Sequence, residues 1–211
     1  AVPTSPTAAT ALAINPQGVG HILTVPYFST QGNNKTLLSI TNTDTTNGKA
    51  VKLRFRGAAN SDDIFDITVF LSPGDVWTAD VAADGDISRL VTNDTSCTLP
   101  SAQDIKDLGG KFKTNRVQGN AAAQTREGYV EILNTANIPV NTAADSLYTA
   151  IKHVNGKAPC TAAVMDAQAT ELANAADAAT RGYAHPTGQL MANWILVNVD
   201  GMASHSGEAV A

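Results

Sequence analysis

Charge, aromatic rings, cysteine and long apolar runs are all in short supply in this chain, and each shortage excludes something. Charged residues make up 16% of the 211, the net charge is −5, and the 14 Lys and Arg residues are scattered. No basic stripe exists to neutralise a nucleic-acid backbone, which sets nucleic acid aside as a partner. No apolar run reaches the roughly 18 residues that a membrane-spanning helix needs, so no transmembrane segment is expected. The histidines His21, His153, His185 and His205 lie far apart and share no short ligand spacing, which argues against zinc. There is no Gly-x-Ser-x-Gly motif, and two carboxylates placed to act as a glycosidase pair cannot be recognised from spacing, so the expectation is a protein that is not an enzyme.

Cys97 and Cys160 are the only cysteines, in the small polar settings Thr95-Ser96-Cys97-Thr98 and Ala158-Pro159-Cys160-Thr161. With no His or Cys at metal-ligand spacing, they are expected to form one disulfide, which implies an oxidising, extracellular or cell-surface location. Closing such a loop stabilises a fold by about 4 kcal/mol on the chain-entropy model. Ala1 to Thr7 carries no basic, apolar leader, as a secreted chain already relieved of its signal peptide would not.

What is present is β-patterning. From Lys35 to Asp80 the sequence reads as four strands joined by turns. Leu37 to Thr41 is the first. Val51-Lys52-Leu53-Arg54-Phe55-Arg56 alternates apolar and basic residues, as a half-buried strand does. Ile64 to Leu71 is more fully apolar, and Val76 to Ala79 leaves a turn, Ser72-Pro73-Gly74-Asp75, with the residues of a type II turn at its centre. The Asn47-Gly48 pair in Asp44 to Gly48 is read as a hairpin signal.

On either side the pattern changes. Residues 1–17 form an arm of Ala, Thr, Pro and Ser, too poor in bulky side chains for a core, in which Leu12 and Ile14 alternate with alanines as an extended strand would. The β-rich domain then spans 18–211, with a loop and helical insertion at about 93–180. His21 to Ser29 is a strand whose latter half Pro26 relegates to an edge or bend. Ile87 to Thr92 is a short strand. Residues 93–126 are a polar excursion with one short helix near Ser101 to Leu108, and Glu127 to Leu133 alternates back into the sheet. Leu147, Ile151 and Val154 share a helical face, and Ala162 to Ala179 is an Ala-rich helix. Trp194 to Val199 is expected as the last buried strand, followed by a small-residue tail.

Two kinds of surface site are admissible. Asp80, Asp84 and Asp86 around Gly85 offer several carboxylates on one turn, the donors that Ca²⁺ takes, although the spacing fits no full EF-hand and the alternative is a solvated turn. No other cofactor is expected. Tyr27, Phe28, Trp77, Tyr129 and Trp194 could form a sugar platform, but each sits in a strand pattern where core is the commoner fate, and both tryptophans are expected in the core. The sequons at Asn34 and Asn93, and the Thr-rich loop Thr41 to Thr46, would accept surface glycans.

Several stretches resemble a family of secreted proteobacterial cell-surface proteins of unassigned activity: Gly20 to Phe28 (GHILTVPYF), Asn34 to Asn42 (NKTLLSITN), Gly48 to Phe55 (GKAVKLRF), Leu71 to Thr78 (LSPGDVWT), Asp94 to Pro100 (DTSCTLP), Thr125 to Ile132 (TREGYVEI) and Trp194 to Asn198 (WILVN). The resemblance implies a surface location and a β-rich fold, and no site residues. In architecture the chain also resembles filament subunits that assemble by donor-strand exchange, with an extended arm, a β-domain and low charge. The expectation is a mainly β, sandwich or jelly-roll-like domain with a helical insertion. It would polymerise with copies of itself through Leu12 and Ile14; the alternative is a monomeric adhesin or glycan-binding module.

Overall fold

The computed structural model describes residues 13–211. Ten strands fill two antiparallel five-stranded sheets: β1 (Ile22–Ser29), β2 (Asn34–Asn42), β3 (Gly48–Gly57), β4 (Asp63–Leu71), β5 (Val76–Asp84), β6 (Ile87–Val91), β7 (Cys97–Leu99), β8 (Glu127–Ile138), β9 (Leu190–Asn198) and β10 (Ala203–Glu208). The first sheet runs β10-β9-β2-β5-β6 and the second β1-β8-β3-β4-β7. The inward faces follow the period-2 pattern: Leu38 and Ile40 of β2, Val51, Leu53 and Phe55 of β3, and Trp77, Ala79 and Val81 of β5 are all buried in one core. Phe28, Phe55, Phe65 and Phe112 interlock at one end of it, with centroids 5.1–6.0 Å apart.

The four-strand reading of Lys35 to Asp80 holds, but the Asp44 to Gly48 segment is no hairpin. β2 and β5 pair in one sheet while β3 and β4 pair in the other, so both the 43–47 and the 72–75 connections cross between layers. The reason is local. Asp44 Oδ1 accepts from the backbone N–H groups of Thr46 and Asn47, both at 2.9 Å, and Asn42 Nδ2 donates to the carbonyls of Asn47 and Ser72, also at 2.9 Å, which stitches the two crossings together. Gly48 is needed for space: an added Cβ would lie 2.7 Å from Ile151 Cδ1. The Ser72–Asp75 turn has Gly74 at φ 70° and Asp75 N–H donating to Ser72 O, as the sequence predicts.

The chain itself bridges the two sheets on both sides of the sandwich. Thr24 and Val210 exchange backbone hydrogen bonds, Ala209 N–H donates to Ala192 O, and Asn15 N–H donates to Ala211 O, so residues 209–211 join β1 to β9. Opposite, Leu90 N–H bonds Gly110 O, Phe112 N–H bonds Ser88 O and Lys113 N–H bonds Ile64 O, joining β6 to β4. Gly110 is required there, with φ 60° and room for only 2.1 Å between an added Cβ and Leu90 O. β1 is an edge strand with a register shift between Val25 and Phe28, where Pro26 sits.

Other expectations change. Trp194 to Val199 is not the last strand, because the expected tail forms β10 and pairs with β9 from Ala203 to Glu208. Residues 93–126 contain β7 as well as the expected helix, α1 (Ala102–Asp107), which starts at a Ser101–Asp104 capping box. The later helical part is three short helices, α2 (Leu147–Ile151), α3 (Ala162–Gln168) and α4 (Ala175–Thr180). The Ala-rich stretch breaks between α3 and α4, where Asn174 caps α4 by accepting from Ala176 and Asp177 N–H. Leu147 and Ile151 are buried, but Val154 lies beyond α2 and is 60% exposed. These helices make a partial third layer on the outer face of the second sheet, with Phe70, Ile138, Tyr148 and Met165 in a second apolar cluster.

Candidate functional site

The helical cap is anchored covalently. Cys97 of β7 and Cys160, at the head of α3, are disulfide-bonded with their Cα atoms 5.4 Å apart. Beside this bridge, His153 clamps three loops: its Nδ1 lies 3.2 Å from Ser72 Oγ and 3.4 Å from Asp75 Oδ2, and its Nε2 3.3 Å from Thr95 Oγ1. The order hydroxyl, imidazole, carboxylate is that of a nucleophilic relay. Thr95 Oγ1, however, donates to Gly156 O at 3.0 Å, so its proton is already committed and the arrangement reads as a clamp.

The most unusual chemistry lies inside the same end of the sandwich. Lys49 extends the inward row Val51-Leu53-Phe55 by one step, and its side chain is 0% exposed. Its cross-strand partner is Asn137 of β8, and Lys49 Nζ donates to Asn137 Oδ1 at 2.9 Å. Asp44 Oδ2 is 3.6 Å from Nζ and Thr187 Oγ1 is 3.4 Å away. Asn137 Nδ2 donates to Thr187 Oγ1 at 2.9 Å, and Thr187 N–H donates back to Asn137 Oδ1 at 3.3 Å. Burial pushes the Lys49 amine below the usual lysine range, partly opposed by the charge and hydrogen bond of Asp44. Burial acts to raise the Asp44 carboxyl, yet the donors of Asn47 and Thr46 and the nearby Lys49 together hold it below its ordinary value. The period-2 pattern could have revealed Lys49, since counting back from Phe55 puts it on the apolar face. Asn137 is hidden by the register shift at Ala50/Val51, which reverses the parity of β8.

A cavity of about 310 Å³ lies between the outer face of the second sheet and α4, walled by Ala50, Phe70, Leu99, Leu172, Ala178 and Tyr183. Burial pushes the Tyr183 phenol up to about 12, against the lowering charge of Arg181. A shallower, more polar hollow of about 610 Å³ lies on the outer face of the first sheet, where Ser39, Thr78, Asp80, Asp94 and Asn193 line it beside Leu37 and Ile195.

The structure does not bring the three aspartates of the suggested Ca²⁺ loop together. Asp80 faces Lys35 at 4.0 Å, Asp84 faces Lys111 at 3.3 Å, and Asp86 is exposed in the turn. Among the described residues no cluster of three His, Cys, Asp or Glu could hold a metal ion. The aromatics form no common platform either. Trp77 and Phe28 are core, Tyr129 is half-buried, and the exposed Tyr27 donates to Glu127 Oε2 at 2.8 Å. Trp194 packs against the core but is only half-buried, because it sits near the sheet edge under Gly207 of β10. Of the sequons, Asn93 is exposed, whereas Asn34 accepts from Asn198 Nδ2 at 2.8 Å. Ile14 is 77% exposed, and Leu12 lies outside the described residues.

Comparison with known proteins returned no matching family, no similar curated protein and no solved structure of similar fold. What the fold defines is a mainly β sandwich with a disulfide-anchored helical cap.

Proposed function

We propose that this chain is a structural, non-catalytic subunit of an extracellular surface filament, and that its N-terminal arm adds as a strand to a neighbouring copy. The observation that carries this reading is that Ile14 is exposed and that Asn15 to Gly18 lie at the end of an edge strand. Asn15 is bonded to Ala211, Gly18 packs beside Glu208, and β10, which ends at Glu208, has no partner on its outer side among the described residues. Residues 15–18 thus lie at the end of a six-residue strand whose outer side has no partner among the described residues. An unpaired edge is a template for another chain, and head-to-tail strand donation propagates as a fibre.

The sheets are bridged on both sides by residues 209–211 and 110–113, so the added strand lies along β10 and does not complete the core. Burying Leu12 and Ile14 contributes about 3–6 kcal/mol before ordering costs. Contact between bodies must add to this, and the exposed Leu172, Val154 and Val140 of the cap region offer apolar surface for it. The disulfide and the lack, among the described residues, of a helix able to cross a membrane are consistent with an extracellular setting.

A second reading, a glycan-binding surface module, is favoured by the polar hollow over Ser39, Thr78 and Asn193. Electron microscopy of the purified chain separates the two: filaments support the subunit, and a dispersed monomer that is retained on immobilised glycans supports the binding module.

A further inference from the structure

The polar cluster at Lys49 is costly for a fold held by apolar burial. A lysine is almost never fully buried unless its charge is met, and here the amine faces one carboxylate, one amide and one hydroxyl on the inner face of the second sheet. Those groups have the roles that amide formation needs. The amine is a nucleophile once neutral, and an apolar site favours its neutral form. The amide carbonyl of Asn137 is polarised by Thr187 N–H at 3.3 Å, while its nitrogen is held by Thr187 Oγ1 at 2.9 Å. Asp44 Oδ2, 3.6 Å from Nζ, can take and return a proton.

We propose that Lys49 and Asn137 condense within the folded protein into an intramolecular amide bond, with Asp44 as the proton relay and Thr187 as the positioning residue. Nζ is already 2.9 Å from Asn137 Oδ1, so a small rotation of the amide presents its carbon to the amine. Holding the reactants in this way replaces a bimolecular encounter by an intramolecular one and so lowers the barrier to condensation.

The balance is simple. Asp44 carboxylate removes a proton from the Lys49 ammonium, and the freed lone pair forms the Nζ–Cγ bond. The charge that develops on Oδ1 is met by the Thr187 N–H. A proton then passes from Nζ to Nδ2, the Cγ–Nδ2 bond breaks, and ammonia leaves, taking the proton that Asp44 held. Asp44 returns to carboxylate; nothing is oxidised or reduced. The product links β3 to β8 across 88 residues of chain, removes a buried charge, and stands whether or not the chain polymerises.

Mass spectrometry of the folded, reduced full chain tests this. The expected result is a mass about 17 Da below that of the sequence, one ammonia, and a digest containing a branched peptide joined at Lys49 and Asn137. Lys49→Arg should restore the full mass, and Asn137→Asp should lose about 18 Da, one water, in place of ammonia. Asp44→Asn should slow the reaction, leaving a mixture that matures with time. Asn47-Gly48 can lose the same mass by closing to a succinimide, so the location matters. A folded wild-type chain of full mass, a deficit that persists in Lys49→Arg, or fragments that place the loss at Asn47 would overturn the proposal.

Discussion

Thr24 of β1 and Val210 donate to each other's carbonyls at 2.8 and 2.9 Å, so the last residues of the described chain seal the edge of the first strand. Truncation after Glu208 removes this pair together with the bonds of Ala209 to Ala192 and Asn15 to Ala211. At about 0.5–1.5 kcal/mol per net hydrogen bond, the loss of these four should be about 2–6 kcal/mol, with β1 left open to other chains. Urea denaturation measures the first, and light scattering during refolding the second.

Strand pattern was the most legible part of this molecule, because a half-buried strand writes its burial into alternate residues. Val51, Leu53 and Phe55 face the core while Lys52, Arg54 and Arg56 face out, as their order predicts. Which sheet a strand joins was not legible: Asn47-Gly48 resembles a hairpin turn, and the bonds that tie this crossing to the second one, Asn42 Nδ2 to Ser72 O and Gly74 N–H to Asp44 O, join residues far apart in the chain. β10 was missed because Ser204, His205 and Ser206 are exposed and carry no apolar alternation. The polar cluster was half visible. Lys49 lies on the core parity of its strand, whereas its partners come from β8, from the Asp44 loop and from Thr187, which sequence separation keeps apart.

The disulfide should be a major contributor to stability. Cys97 and Cys160 are 63 residues apart, and opening that loop should cost about 4 kcal/mol on the chain-entropy model. Replacing both by Ala and comparing urea midpoints checks the magnitude, and intact mass with and without reductant checks the bond. Two alkylatable thiols in the unreduced chain would contradict it.

The two tryptophans should report different surroundings. Trp77 is fully buried and Trp194 half-buried, so Trp194→Phe should leave a blue-shifted emission that iodide quenches poorly, and Trp77→Phe a redder, more quenchable one. Trp77→Ala should destabilise by about 3–5 kcal/mol through the cavity it leaves. Equal quenching of both would contradict this placement.

Asp44 should make stability depend on acid. Its folded-state pKa lies below the ordinary value of 3.8, so its contribution is complete above that value and is lost as pH falls through the folded pKa. Asp44→Ala should cost about 1–3 kcal/mol at neutral pH, since Thr46 and Asn47 N–H lose their acceptor. Urea titrations of wild type and variant should converge as the carboxylate is protonated; a constant gap down to strong acid would contradict the assignment.

The central claim, that the arm joins one subunit to the next, is tested most directly by removing residues 1–12 and replacing Ile14 by Ser, which leaves the Asn15 bond to Ala211 in place. Full-length and truncated chains are compared at high concentration by electron microscopy and sedimentation, with circular dichroism and intact mass to establish that both are folded and disulfide-bonded. The account predicts filaments from the full chain and a folded monomer from the truncated one. Filaments formed equally well without the arm, or a full-length chain that stays monomeric with its N-terminus intact, would contradict it.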